Sequence, residues 1–264
     1  MRLTTFASGS GGNCALLQGG GVSVLLDAGI SLRRIRAGLA AHGLTVGELD
    51  AVFITHEHTD HVGALGSIVK YYPVPVYASR AAARRLSGTV PGLEALLRPL
   101  RTGEPTELGA LSVTAFPTSH DTEESVGYRF DSPEGRFGVC TDTGVVTDEM
   151  LAAMAGCNAA LIEANHDPVM LRNGRYPYPL KRRILSDRGH LSNDACAAFA
   201  CALARSGTRQ IVLGHLSREN NTPGRAMETV REALDADGWT DVVLAVAPQD
   251  GEVCVEVTAC SVSS

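Results

Sequence analysis

Residues 51–61 read AVFITHEHTDH, and the fold of the chain turns on what this stretch can be. Residues 51–55 form a short apolar run with β-branched members, the pattern of a buried strand. The run leads straight into His56, His58, Asp60 and His61, which places the cluster on a loop at a strand's carboxyl end, where rigid scaffolds hold functional groups. The chain has eight histidines, at 42, 56, 58, 61, 120, 166, 190 and 215, and three of them crowd into six residues. An ordinary core explains one such histidine, but burying this many ionisable groups together without a cation is costly. Imidazoles and a carboxylate suit divalent zinc or manganese, and iron as well. In an extended segment His56 and His58 point the same way, while a turn at Thr59 swings Asp60 and His61 toward a neighbouring position, so the loop offers ligands to two ions. Two ions need more donors than one loop supplies. His120 in TSHD, Asp142 in TDTG and His215 in LGHLS each follow a predicted strand and are the candidates.

The bulk composition agrees with an ordinary globular chain. It has 264 residues, 44% apolar and 20% charged, with a formal charge of −6. These values predict one domain over residues 1–264 with a substantial core. No apolar run approaches the roughly 18 residues that span a bilayer, and MRLTTFASGSGGN lacks the apolar stretch of a secretory signal. The expectation is a cytoplasmic protein with no membrane partner. Seven cysteines without a CxxC pair favour reduced, buried thiols over a disulfide framework. The acidic balance argues against bulk attraction to nucleic acid. A local patch remains in Lys181, Arg182, Arg183 and Arg188, with Arg172 and Arg175 upstream; it reads as a solvated face or, through guanidinium forks, as a phosphate contact.

Along the chain, LTTFASG, CALLQGGG and VSVLLDAG read as strands separated by tight turns. A helix capped by Ser31 is expected to end near His42 and Gly43, and GALGSIVKYY and RAAARRL read as further helices around the strand VPVYAS. Strands return over 106–146, helices are expected at 147–155 and 193–206, and the last part reads strand (QIVLGH), helix (GRAMETVREALDA), strand (DVVLAVA) and terminal strand (VCVEVTAC, 253–260).

THEHTDH followed by spaced His, Asp and His resembles the metallo-β-lactamase superfamily, and LLDAG ahead of the cluster fits too. SGSGGN, SHD, EANHD, GHLSN and GHLSRENN narrow the resemblance to a bacterial YycJ/WalJ-like subgroup of metal-dependent nucleases or phosphodiesterases. The resemblance implies an α/β fold, a four-layer αββα sandwich with the metals at the edge between two β-sheets. It places His56, His58 and His120 on one divalent ion and Asp60, His61 and His215 on a second, with Asp142 bridging. Asp27 would accept a hydrogen bond from a ligand imidazole or fix the loop. The implied reaction is attack on a phosphodiester by a hydroxide held between the ions, with His190 protonating the leaving oxygen. His166 is a further candidate for catalysis or support through Asp167, and Ser217, Arg218, Asn220 and Asn221 are candidate phosphate contacts. The implied activity is a 5′-to-3′ exodeoxyribonuclease acting on DNA single strands or ends. Two other functions fit less of the pattern: hydrolysis of a thioester, lactone or cyclic phosphodiester, and metal-dependent regulation without turnover, against which the complete ligand set argues.

Overall fold

The structure, a computed structural model, describes residues 1–258. The first six strands are β1 (Arg2–Ala7), β2 (Cys14–Gly19), β3 (Val22–Leu26), β4 (Ala51–Ile54), β5 (Val76–Ser79) and β6 (Leu97–Leu100). The next seven are β7 (Pro105–Leu108), β8 (Leu111–Pro117), β9 (Val126–Ser132), β10 (Gly135–Cys140), β11 (Ala159–Glu163), β12 (Gln210–Gly214) and β13 (Val243–Val246). β14 (Val253–Glu256) returns to the first sheet, giving the orders β14-β1-β2-β3-β4-β5-β6 and β13-β12-β11-β10-β9-β8-β7. The expected terminal strand is therefore four residues long, and residues 259–260 of that stretch lie outside the described residues.

Hairpins make β1, β2 and β3 antiparallel, as the glycine turns predict, β14 adds to β1 antiparallel from the far end of the chain, and β3 to β6 pair in parallel. The second sheet mirrors this, antiparallel from β7 to β10 and parallel from β10 to β13. Parallel strands need crossovers, and helices supply them on the outer faces. On the first sheet lie α1 (Leu32–Ala41), α3 (Leu65–Tyr71) and α4 (Arg80–Ser87), which bury Ile35, Leu39, Leu65, Ile68 and Leu86. α2 (Thr59–Val62) is a single turn inside the histidine loop. On the second sheet lie α5 (Asp148–Met154), α8 (Asn193–Arg205) and α9 (Pro223–Ala236), packed through Met150, Phe199, Leu203, Val230 and Leu234. The Ser31 cap is formed as read and Ser192 caps α8, each side chain accepting from a backbone N–H three residues on. The result is a four-layer αββα sandwich.

A third apolar cluster fills the space between the sheets, where Leu17, Val24 and Phe53 meet Val113, Tyr128 and Phe130. Phe53 stacks on Tyr77 at 4.9 Å and meets the edges of Tyr128 and Phe130 at 5.4 and 6.1 Å. It sits three residues before His56, so the same short strand anchors the core and delivers the histidine loop. Between β11 and α8 the chain forms two short helices, α6 (Pro168–Asn173) and α7 (Tyr178–Ile184). The sequence assigns no helix to residues 168–184; Pro177 and Pro179 stand in the entry turn of α7, where a missing N–H costs nothing.

Phe53→Ala should cost about 3–5 kcal/mol of stability, the range for deleting a buried aromatic ring. Urea unfolding checks this, and a loss under about 1 kcal/mol would mean that the inter-sheet core is not packed around this ring.

Candidate active site

The ends of the central strands of both sheets meet at one rim. Asp27 follows β3, Thr55 and His56 follow β4, Asp142 stands two residues beyond β10, Glu163 ends β11, and His215 follows β12. Among the described residues, the non-glycine residues with positive φ are Asp27, Asp142 and His215, at 57°, 57° and 55°. A left-handed backbone at a residue with a side chain is uncommon, and three at one rim mark a place where the direction of side chains overrides local ease.

The side chains fall into overlapping groups. His56 Nε2 lies 3.0 Å from His58 Nδ1, and His120 Nε2 lies 3.3 Å from the same atom. Donor atoms of His56, His58 and His120 all lie within 4.8 Å of one another, as do those of Asp60, His61 and His215. Asp142 stands between the groups: its Oδ2 is 3.3 Å from His61 Nε2 and its Oδ1 is 3.8 Å from His120 Nε2. Asp142 Oδ2 and His215 Nε2 are buried without a hydrogen-bond partner among the described residues. Unpartnered buried oxygen and nitrogen facing clustered imidazoles is a donor set that fits divalent cations. The sequence-predicted ligands are thus all brought together.

Further residues fix their directions. Asp27 accepts from His61 Nδ1 at 2.8 Å and from the Thr55 backbone N–H at 2.9 Å, tying the imidazole to the start of the loop. His120 Nδ1 donates to the Gly189 carbonyl at 3.1 Å, and Arg188 donates to the His120 carbonyl at 2.8 Å. Arg188 therefore braces the site from an exposed position. Asn13 from SGSGGN sits 3.1 Å from His61 Nε2 and its N–H donates to the Asp60 carbonyl at 2.8 Å. A Cβ on Gly29 would lie 1.6 Å from that same carbonyl oxygen, so only glycine allows the loops to approach this closely.

Sequence reasoning missed Glu163. This carboxylate is fully buried and accepts from His190 Nδ1 at 2.7 Å and from His215 Nδ1 at 2.8 Å through one oxygen. Its other oxygen accepts from the backbone N–H groups of Thr143 and Leu191. Burial raises its pKa, but the two imidazoles outweigh that and draw it down to about 2. The reciprocal effect lifts His190 above its ordinary value against its own burial. His215 is opposed by burial too, yet Asp142, Asp60 and Glu163 push it up to about 10. The available signal was a single charged residue ending the otherwise apolar run AALIE.

His166 is brought near but differently used. It is buried, neither ring nitrogen has a partner among the described residues, and burial pushes its pKa down to about 4. Asp167 caps α6 and pairs with Arg225, so it does not couple His166 to the site. Asn220 and Asn221 are buried as well; Asn221 donates to the Ala164 carbonyl and exchanges hydrogen bonds with Asn193. Their place is in loop packing, away from any open face, which corrects the expectation of phosphate contact. Arg218 is exposed and paired with Asp250 at 2.8 Å. Arg183 pairs with Asp121, whose other oxygen is 3.3 Å from His120 Nε2, and both line a cavity of about 160 Å³ beside His120 and His190. Arg182 lies outside that cavity, over the ring of Tyr178.

The model of the beta-lactamase superfamily domain matches residues 23–216, from the strand before Asp27 to the residue after His215. The chain belongs to the metallo-β-lactamase superfamily. Within this superfamily it is 35% identical over 242 residues to the exodeoxyribonuclease YycJ of Bacillus anthracis, covering 90% of this chain and 91% of that one. It is 36% identical to the exodeoxyribonuclease WalJ of Streptococcus pneumoniae D39, covering 89% of each. Among solved structures, the metallo-beta-lactamase fold protein YhfI from Bacillus subtilis superposes with a TM-score of 0.72 at 15% identity, over 97% of this chain and 99% of that one, which shows the shared fold.

The depressed pKa of His166 has a measurable sign. The unfolded chain takes up this proton near pH 6.5 and the folded one only near 4, so the stability it contributes is present above 6.5 and lost as pH falls toward 4. His166→Leu should flatten the acid side of the stability profile by about one proton, as urea melts at stepped pH would record; an unchanged slope contradicts a buried neutral imidazole.

Proposed function

We propose that this protein is a metal-dependent phosphodiesterase that degrades DNA from an end. The hydrolase class follows from family membership, and the DNA substrate is supported by the names of the two relatives that match nearly end to end. The observation that carries the reaction type is the Glu163–His190 hydrogen bond in the wall of the cavity. It occupies Nδ1 and favours the charged ring, the form in which Nε2 has a proton to give. A phosphodiester whose leaving group is a sugar alkoxide needs that proton; an activated ester or thioester does not.

His56, His58 and His120 would hold one divalent ion, zinc or manganese by ligand chemistry, and Asp60, His61 and His215 a second, with Asp142 reaching both. When bound, such a pair activates water at neutral pH and offsets charge developing on the phosphate oxygens. The protein's own groups do the rest. Asp27 and Glu163 hold His61 and His215 through Nδ1, which fixes the tautomer and leaves each Nε2 turned inward. Because one oxygen of Glu163 serves both His215 and His190, the proton donor is held in register with a ligand. Arg183 stands at the cavity where a neighbouring phosphate would exchange with Asp121 for its guanidinium. Five buried free cysteines, at 14, 140, 157, 196 and 201, suit a reducing compartment and support a cytoplasmic setting.

His190→Ala should lower the rate on end-labelled DNA by about 10²- to 10⁴-fold, the usual span for a general acid. Hydrolysis of bis(p-nitrophenyl) phosphate should fall far less, because p-nitrophenolate departs without a proton. Equal losses on both substrates would assign His190 to positioning and remove the argument for an alkoxide leaving group.

A further inference from the structure

The cavity beside His190 has two unlike sides: His120, His190 and Arg183 line the side that suits a phosphate, and the opposite wall does not. Tyr176, Leu180 and Ile184 form an apolar wall contributed by α7 and the turn before it, while Asn165, Ser217 and Ser10 offer neutral hydrogen-bonding groups. A phosphate against that wall would lose hydration for nothing in return. A flat heteroaromatic ring with a polar edge would use both kinds of surface. At about 160 Å³ the cavity is small beside the roughly 300–1,000 Å³ of drug-sized ligand clefts, so it takes one ring system and not a base pair.

The segment that supplies the wall has a second aromatic residue. Arg175-Tyr176-Pro177-Tyr178-Pro179 alternates tyrosine and proline, so the backbone is stiff and the rings are presented at little entropic cost. Tyr176 is half-buried at the cavity, whereas Tyr178 is 73% exposed with the Arg182 guanidinium 6.0 Å from its ring centre. Arg183, one residue on, stands at the cavity itself. Aromatic faces interleaved with guanidinium groups are what a single nucleic-acid strand needs, bases stacking while phosphates are paired.

We infer that the 175–184 segment is a single-strand platform in which Tyr176 stacks on the base of the nucleotide being released and Tyr178 on the next. The inference rests on the DNA-hydrolysing reading above and deepens it. A base enters the cavity only if it is unpaired, so a duplex end must fray before its terminal base is bound. Every base has a π-face, so the stacking is tolerant of sequence.

The test is a cycle between Tyr176→Ala and loss of the terminal base. Metal-loaded protein is given single-stranded oligonucleotides ending in a normal nucleotide or in a tetrahydrofuran abasic analogue. Wild type should lose about 5- to 100-fold in kcat/KM when the base is removed, the range base–aromatic stacking supplies. Tyr176→Ala should show the same loss on the normal end and little further loss on the abasic one, while Tyr176→Phe keeps wild-type discrimination. Tyr176→Leu, which keeps an apolar wall, guards against a collapsed α7 and should behave like the alanine variant at an unchanged melting midpoint. Equal discrimination between the two ends by wild type and the alanine and leucine variants overturns the platform while leaving the nuclease intact. A wild-type protein inert on every oligonucleotide overturns the DNA reading and the platform with it.

Discussion

Buried charge at one rim governs this structure. His56, His61, His120, Asp142, Glu163 and His215 are all buried within one cluster, in surroundings where an isolated charge would be prohibitive. The protein meets that cost by pairing every carboxylate with imidazoles: Asp27 with His61, Asp142 with His61 and His215, Glu163 with His190 and His215. It also accepts left-handed backbone at Asp27, Asp142 and His215, at a cost of order 1–3 kcal/mol each. Neither expense serves the core, which is complete without them between and outside the sheets. Both are understandable if the rim exists to hold cations whose charge the donor set balances.

The fold supports this by placing parallel strand ends together. Each sheet is antiparallel on one side and parallel on the other, and the parallel portions release their carboxyl ends at the same edge. A side chain placed just after such a strand is held by the sheet and still reaches across the rim. That is why one carboxylate can bind histidines 27 and 52 residues away in the chain.

This arrangement also explains what could be read from the sequence. His56, His58, Asp60 and His61 are local, and their spacing after an apolar strand carries its meaning without tertiary context. His120, Asp142 and His215 could be proposed because each is polar, follows a strand and matches a superfamily pattern. Glu163 could not, since a carboxylate ending an apolar strand looks like the strand's solvated tip until the fold closes over it. Asn220 and Asn221 failed the opposite way: polar residues near a ligand read as substrate contacts, but the 164–167 and 193 segments bury them. The net charge of −6 was a similarly blunt guide. Arg183, Arg218 and Arg225 are paired with Asp121, Asp250 and Asp167, so the basic side chains near the site are local and partly neutralised.

The central claim is that the rim is a two-cation site divided by Asp142. Anomalous diffraction from crystals of metal-loaded protein, collected on both sides of the metal's absorption edge, tests it most directly. Two peaks roughly 3.5–4 Å apart are expected, the separation of two-metal hydrolytic sites. One should lie among His56, His58 and His120 and the other among Asp60, His61 and His215, with Asp142 between them. A single peak, or peaks away from these side chains, would contradict the account.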